Sequence, residues 1–324
     1  MIISQTPYRV SLAGGGTDLP AFYREEAGAV LSIAISRHMY VTVHERFEPT
    51  WRIAYSRAEV AASRDEIAHE LVRESLRTTG IEQPLEVTTI GDVPAGTGMG
   101  SSSSLTVGLL NAFYAYQGQI ASARRLGEEA CRIEIETLGK PIGKQDQFAA
   151  AFGGVNYFRC NPDETVDVEP VPCRREALDE LERWALVLYT DRQRSADGIL
   201  KKQSDGCGEK RQVLCRMRDL AGEMRSALGG NGDIRDLGRL LHEGWELKRS
   251  LGFGIADEGV DRWYRDGRVA GAIGGKLLGA GGGGFMLFLA PPERHAAIRE
   301  ALGDPRQLPF QVDRRGSRII FADQ

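Results

Sequence analysis

Residues 93–104 read VPAGTGMGSSSS, with Gly96, Gly98 and Gly100 alternating along the loop and four serines closing it. The segment lies between a strand-like run, LEVTTIG, and an apolar run of helical length, LTVGLLNAFYAY. Glycine loses more backbone freedom on folding than any other residue, so such a stretch is used for its backbone or is a linker. A linker would be flanked by domain ends and continue polar, whereas this one runs from a strand into a helix. Serine is a strong N-cap, but one capping serine explains neither four serines nor the alternating glycines. Free N–H groups at a helix start, with the dipole behind them, make an anion site. The pattern therefore points to a phosphate held by the backbone of Gly96, Gly98, Gly100, Ser101, Ser102 and Ser103. A serine hydroxyl there is available to Mg²⁺. On this reading Gly98→Val weakens nucleotide binding more than it harms folding.

Two common phosphate motifs do not fit. GKPIGKQ at 139–145 and GAIGGKL at 271–277 have three residues between the glycines and no Ser or Thr after the lysine, so neither is a Walker A loop. GAGGGG at 279–284 matches G-x-G-x-x-G, but it precedes a strand rather than opening a helix, which excludes a dinucleotide fingerprint.

Length and composition bound the rest. The chain has 324 residues, enough for two domains, and a formal net charge of −4 that gives no basic footprint for nucleic acid. Its apolar runs are too short to span a membrane, and the N-terminus lacks the basic start of a secretory signal. Five cysteines at 131, 160, 173, 207 and 215 form no C-x-x-C pair, and the histidines share no metal spacing. The plain expectation is a reduced, cytoplasmic protein, with a homodimer left open.

Strand patterns cover IISQTPYRVSLA, VLSIAIS, YVTVHERF, WRIAYS and LEVTTIG, with a helix over 64–79. Helices come next over the run after the loop, ending at Gly118, and over 122–138. GKQDQFAAAFGG reads as a turn and short helix, then VNYFRC and TVDVEPV as strands. After a break near 160–185 come the strand WALVLYT, helices over 195–228 and 233–251, and a shorter one after Asp257. The remainder reads as a glycine loop over 274–284, the strand FMLFLA, a helix over 292–302, and strands PFQV and RIIFA. The class is α+β.

PAGTGMGSSSS resembles the phosphate loop of the GHMP kinases, the superfamily of galactokinase, homoserine kinase, mevalonate kinase and phosphomevalonate kinase. PYRVSLAGGGTDLPAFY at 7–23 is similar to their N-terminal motif and GGKLLGAGGGGF at 274–285 to their C-terminal one. With IEIETLGKPIGKQDQFAAAFGG at 133–154, four motifs stand in order. Among these kinases the motifs look most like those of D-glycero-D-manno-heptose 7-phosphate kinases, then fucokinases. Galactokinases carry Glu-His where this chain has Gly15-Gly16, which argues against galactose. The resemblance implies two domains, 1–180 like the second domain of ribosomal protein S5 and 181–324 ferredoxin-like, with ATP between them. It also implies a left-handed βαβ crossover, against the usual rule.

The resemblance also implies roles for single residues. It adds Pro94 to the phosphate loop and carries the catalytic aspartate onto Asp146, which by residue type is equally an N-cap. Glu134, five residues before Gly139, takes the Mg²⁺-binding position, with Ser102 as the second ligand. Glu136 points about 200° away along a helix and reads as solvated. Arg9 either neutralises charge at the reacting centre or is a strand-edge arginine. Asp18, with Gly16 and Thr17, stands where the sugar hydroxyls bind, or caps a helix, and Gly283 belongs to the acceptor side of the C-terminal motif. A phosphorylated acceptor needs a second anion site, for which TDRQRSADGILKKQ offers Arg192, Arg194 and Ser195, and Lys144 flanks Asp146. The expected activity is ATP- and Mg²⁺-dependent phosphorylation of the anomeric hydroxyl of D-glycero-D-manno-heptose 7-phosphate. The alternatives are a C1 kinase of an unphosphorylated sugar such as fucose, or a catalytically silent ligand-binding member of the superfamily.

Overall fold

The computed structural model describes residues 1–192, 197–230, 232–252 and 254–323. In chain order the first elements are β1 (Ile2–Ala13), α1 (Pro20–Tyr23), β2 (Gly28–Glu45), β3 (Trp51–Ala54), β4 (Ala58–Ala61), α2 (Glu70–Thr79) and β5 (Leu85–Gly91). Next come α3 (Ser101–Tyr116), α4 (Ala123–Cys131), α5 (Gln145–Phe152), β6 (Val155–Cys160), β7 (Val166–Pro170), α6 (Arg175–Trp184) and β8 (Ala185–Tyr189). The rest are α7 (Asp197–Asp205), α8 (Arg211–Gly229), α9 (Ile234–Ser250), α10 (Glu258–Val269), β9 (Gly274–Leu277), β10 (Phe285–Leu289), α11 (His295–Ala301), β11 (Gln307–Leu308) and β12 (Arg318–Ala322).

The first sheet has the order β12-β1-β2-β5-β3-β4, with β6 and β7 extending from the other half of β2. All its pairings are antiparallel except β3 with β5, where α2 lies in the connection. The two strands expected over 30–47 are a single strand, because β2 pairs with β1 along nearly its whole length. The second sheet, β11-β8-β10-β9, is antiparallel throughout and places its fourth strand beside its first, the ferredoxin-like order.

β1 and the first half of β2 are largely buried on both faces, and β1 encloses Ser4, Thr6, Arg9 and Ser11 along with its apolar residues. On one face Val41 and Val43 meet Leu109, Leu110 and Phe113 of α3, itself apolar nearly all round. On the other, Tyr8, Val10, Leu31 and Ile33 join Leu220, Met224, Leu237 and Leu287, so one core crosses between the sheets. Burial of this kind, worth about 25 cal/mol per Å², does most to hold the halves together.

Several boundaries differ from the sequence pattern. The helix expected over 64–79 is a 3₁₀ turn at Arg64–Glu66 followed by α2. PFQV contributes only a bridge between Val312 and Ile35, and GGKL, expected in the loop, is β9. The helix expected over 122–138 changes at Arg132–Thr137 to π geometry, in which Leu138 N–H donates to the carbonyl of Ile133. The final strand, β12, returns to pair with β1 rather than staying with the second sheet. No described helix is long and apolar enough to cross a membrane, and the five cysteines are free.

Candidate active site

A cavity of about 470 Å³ lies between the two sheets. It is lined by β1 and its following loop, the glycine-serine loop, the start of α5, and one wall made by α7, α8, α9 and β9.

The serines do not cap α3. The N-cap is Gly100, in the left-handed region at φ +73°, and no side chain caps the helix. Ser101, Ser102 and Ser103 therefore lie inside its first turn, where their N–H groups have no i−4 carbonyl within the helix. Their side chains point elsewhere: the Ser103 hydroxyl donates to Glu134 at 2.7 Å and that of Ser104 to the carbonyl of Pro7 at 2.9 Å. Gly96, Gly98, Gly100, Ser101, Ser102 and Ser103 all line the cavity, while Pro94 does not; its carbonyl accepts from the Thr97 hydroxyl and closes the turn. A backbone start with the dipole behind it and no competing cap suits a phosphate.

Gly98 is constrained from a second side. It sits at φ +79°, and a Cβ there would meet the carbonyl of Leu278, while a Cβ on Gly279 would meet Gly98 itself. The two glycine loops thus touch backbone to backbone across the cavity. Gly98→Val, expected to weaken nucleotide binding more than it harms folding, therefore carries a folding cost of its own, since a side chain there meets backbone even without ligand.

Asp146 sits in the first turn of α5, whose N-cap is Lys144, so its carboxylate is not a cap. Arg9 holds it from β1, Nε donating to Oδ1 at 2.7 Å and Nη2 to Oδ2 at 2.6 Å, while Nη1 donates to the carbonyl of Gly98 at 2.6 Å. Arg9 is buried and no strand-edge residue. One guanidinium fixes both the carboxylate and the glycine-serine loop.

Glu134 is brought inward by the π turn, and Glu136 is exposed. The Glu134 carboxylate accepts from Ser103, from Thr106 at 3.3 Å and from Gln147 at 2.6 Å. Burial pushes its carboxyl up to about 7, against the pull of these hydrogen bonds and one from Ser102. A carboxylate held beside two serine hydroxyls at the start of α3 is a hard-oxygen set that fits Mg²⁺, which takes few protein ligands. Among the described residues no cluster of three or more His, Cys, Asp or Glu exists that could cage a metal alone.

On the acceptor side Asp18 ties loop to helix. Its Oδ1 accepts from Gly16 N–H at 2.9 Å and its Oδ2 from Gln145 N–H, the first residue of α5, at 3.4 Å. It does not cap α1, which starts after Leu19. Burial raises its carboxyl, with Asp146 adding to the rise. Gly16 is at φ +100°, which favours glycine, and the amide end of Gln203 of α7 lies against it. Gly283 lines the cavity, close against the backbone of Arg192.

Three expected acceptor contacts are corrected. Thr17 is fully buried outside the cavity lining, its hydroxyl donating to the carbonyls of Gly14 and Ala29 to hold the turn. Lys144 points away, donating to Oε2 and the carbonyl of Glu164 at 2.6 and 2.7 Å. Arg192 pairs with Asp257 at 2.8 Å and lines a separate cavity with Thr190, Gly259 and Trp263. Arg194 and Ser195 lie outside the described residues.

Sequence reasoning missed one wall of the cavity. Lys248 of α9, Lys276 of β9 and Gln203 of α7 line it, all three buried. Lys248 donates to the carbonyl of Gly279, and Lys276 to those of Ser11 and Leu12 at 2.7 and 3.2 Å. Burial pushes both ammonium groups down, Lys248 to about 8. By its pattern HEGWELKRSLG is an amphipathic packing helix, and a lysine one turn from Gly244 on its buried side was the available signal.

The chain matches the model of the GHMP kinases N-terminal domain over residues 65–154 and that of the GHMP kinases C-terminal domain over 224–305. It is 29% identical over 318 residues to the D-glycero-alpha-D-manno-heptose 7-phosphate kinase of Campylobacter jejuni, covering 93% of both chains. It is 27% identical to the bifunctional fucokinase/GDP-fucose pyrophosphorylase of Arabidopsis thaliana, over 95% of this chain but only 32% of that protein. Among solved structures, a D-glycero-D-manno-heptose 1-phosphate kinase from Bacteriodes thetaiotaomicron superposes with a TM-score of 0.83 at 28% identity, over the whole of both chains.

Proposed function

The chain belongs to the GHMP kinases, and on that premise we propose that it phosphorylates the anomeric hydroxyl of D-glycero-D-manno-heptose 7-phosphate, giving the 1,7-bisphosphate. It is an ATP-dependent phosphotransferase of the sugar-kinase type. The observation that carries the mechanism is Asp146, held by Arg9 in the cavity between the glycine-serine loop and Asp18.

Phosphoryl transfer demands positioning and charge neutralisation more than covalent chemistry. The backbone of Gly96–Ser103 receives the β- and γ-phosphates of ATP. Asp146 accepts the proton of the attacking hydroxyl, its orientation fixed by the two Arg9 hydrogen bonds. The guanidinium keeps positive charge beside the developing phosphoryl charge. Asp18 and Gly16 orient the sugar. Glu134, with Ser102 or Ser103, would hold Mg²⁺, which would supply positive charge to offset that of the phosphates. We divide the chain into a nucleotide-binding half, 1–180, and a second half from 181, with β12 returning to the first.

The heptose 7-phosphate acceptor is supported by the Campylobacter relative. The Bacteriodes protein bears a heptose 1-phosphate name, so the carbon that is phosphorylated is itself part of the proposal. One observation favours a C1 kinase of an unphosphorylated sugar: Arg192, half of the expected phosphate clamp, is engaged by Asp257 away from the cavity. A silent binding protein would have no use for a fixed Asp146 beside Glu134. Turnover of ATP across heptose 7-phosphate, free heptose, fucose, galactose and mevalonate tests the assignment: preference for the heptose phosphate upholds it, and preference for fucose or free heptose overturns it.

A further inference from the structure

Lys248 stands apart from the other cations around the cavity. Arg9 has Asp146, and Lys144 has Glu164. Lys276 is wrapped by two backbone carbonyls. Lys248 is 7% exposed and its ammonium carries three donors, of which one is spent on the carbonyl of Gly279. Its charged neighbours are Arg9 and Lys276, which repel it, and Asp18, which attracts it without closing an ion pair. A buried cation without a carboxylate is expensive, so its retention in a cavity wall asks for an anionic partner that arrives from outside. Two further groups on the same lining point the same way. The Gln203 Nε2 and the Ser11 hydroxyl are buried with no hydrogen-bond partner among the described residues, at residues 2% and 6% exposed. Unmade hydrogen bonds of this kind mark a polar ligand.

We propose that Lys248 binds a phosphate group of the reacting pair, with Gln203 and Ser11 completing a polar wall around the sugar. The inference rests on the kinase reading above but not on its choice of acceptor. The anchor on Gly279 places the ammonium beside the contact of the two glycine loops, and among the described residues its remaining donors have no partner, which leaves them for phosphate oxygens. That phosphate is either the one in transfer from ATP or one the acceptor already carries. In either case recognition moves from the loop after β8, where the arginines suggested it, to α9.

The test compares wild type with Lys248→Met and Lys248→Arg, using ATP with heptose 7-phosphate and with free heptose. A charged hydrogen bond is expected to be worth about 10- to 100-fold. If the acceptor's phosphate is the ligand, Lys248→Met raises KM for heptose 7-phosphate by that factor and leaves free heptose untouched. If the transferred phosphoryl is the ligand, kcat falls by that factor with both acceptors. Lys248→Arg retains more activity than Lys248→Met in either case. Should no heptose be turned over, the acceptor assignment fails, while calorimetry with a non-hydrolysable ATP analogue and with inorganic phosphate still tests Lys248, affinity for one of them falling in Lys248→Met. Unchanged kinetics and binding in a folded Lys248→Met overturn the proposal. So does equal loss in the Met and Arg variants accompanied by a lowered Tm, which would make Lys248 a structural tie to Gly279.

Discussion

Arg9 grips Asp146 by both carboxylate oxygens, at 2.7 and 2.6 Å, across 137 residues of sequence. A guanidinium is a rigid fork, so the pairing fixes the plane of the carboxylate as well as its position. The third contact of the same guanidinium, to the carbonyl of Gly98, ties that orientation to the phosphate loop. The Asp146 carboxylate and the glycine-serine loop are therefore set by one side chain.

Asp146→Asn should lower kcat by roughly 10²–10⁴-fold while leaving the affinity for a non-hydrolysable ATP analogue unchanged. Arg9→Met should lower kcat and weaken the analogue as well, because it also releases Gly98. Steady-state kinetics and calorimetry on the two variants check this; equal analogue affinity in both would remove Arg9 from the phosphate loop.

Glu134→Gln should raise the Mg²⁺ concentration needed for half-maximal activity. On the proposed assignment a proton should compete with the cation for the wild-type carboxylate, whose burial pushes it up to about 7. Less Mg²⁺ should therefore suffice as pH rises through about 7, and Glu134→Gln should lose that dependence. A Mg²⁺ titration at several pH values reads both effects.

Gly98→Ala should destabilise the ligand-free protein by about 1–3 kcal/mol, since it forces a side chain into the left-handed region and against the carbonyl of Leu278. Thermal denaturation checks this. A stability equal to wild type would mean that the glycine loops separate in solution and that phosphate alone explains Gly98.

Lys248→Met should make the ligand-free protein more stable at neutral pH. Burial lowers the ammonium from 10.5 to about 8, so between these values the unfolded chain binds more protons than the folded one. This contribution to stability is present above about 10.5 and is lost as pH falls through about 8. The Tm advantage of Lys248→Met should be largest below pH 8 and close as pH approaches 10.5. A Tm lower than wild type at neutral pH would contradict it.

The parts of the site legible in the sequence were those carried by short motifs. The glycine-serine loop declared itself because no ordinary loop needs three alternating glycines, and Asp146 and Arg9 sit inside motifs of their own. The second glycine loop was visible as a motif, but that it seats on Gly98 depends on two sheets closing over a shared core. Lys248, Lys276 and Gln203 come from three separate elements, and no spacing along the chain marks residues that meet only in the fold. Thr17 and Lys144 failed for the opposite reason. Each lies beside a site residue in sequence, yet one holds a turn and the other turns toward Glu164. The split of the helix expected over 122–138 was likewise hidden, since the extra residue of a π turn leaves no mark in an apolar period that continues through it.

The most direct test of the central claim is the identity of the product. Wild-type protein incubated with ATP, Mg²⁺ and D-glycero-D-manno-heptose 7-phosphate should yield a sugar with two phosphates. Phosphorus and proton NMR should show the new phosphorus coupled to the anomeric proton, and Asp146→Asn should form almost none of it. A new phosphate on any other carbon, or an unreacted heptose phosphate beside a phosphorylated simple sugar, would contradict the account.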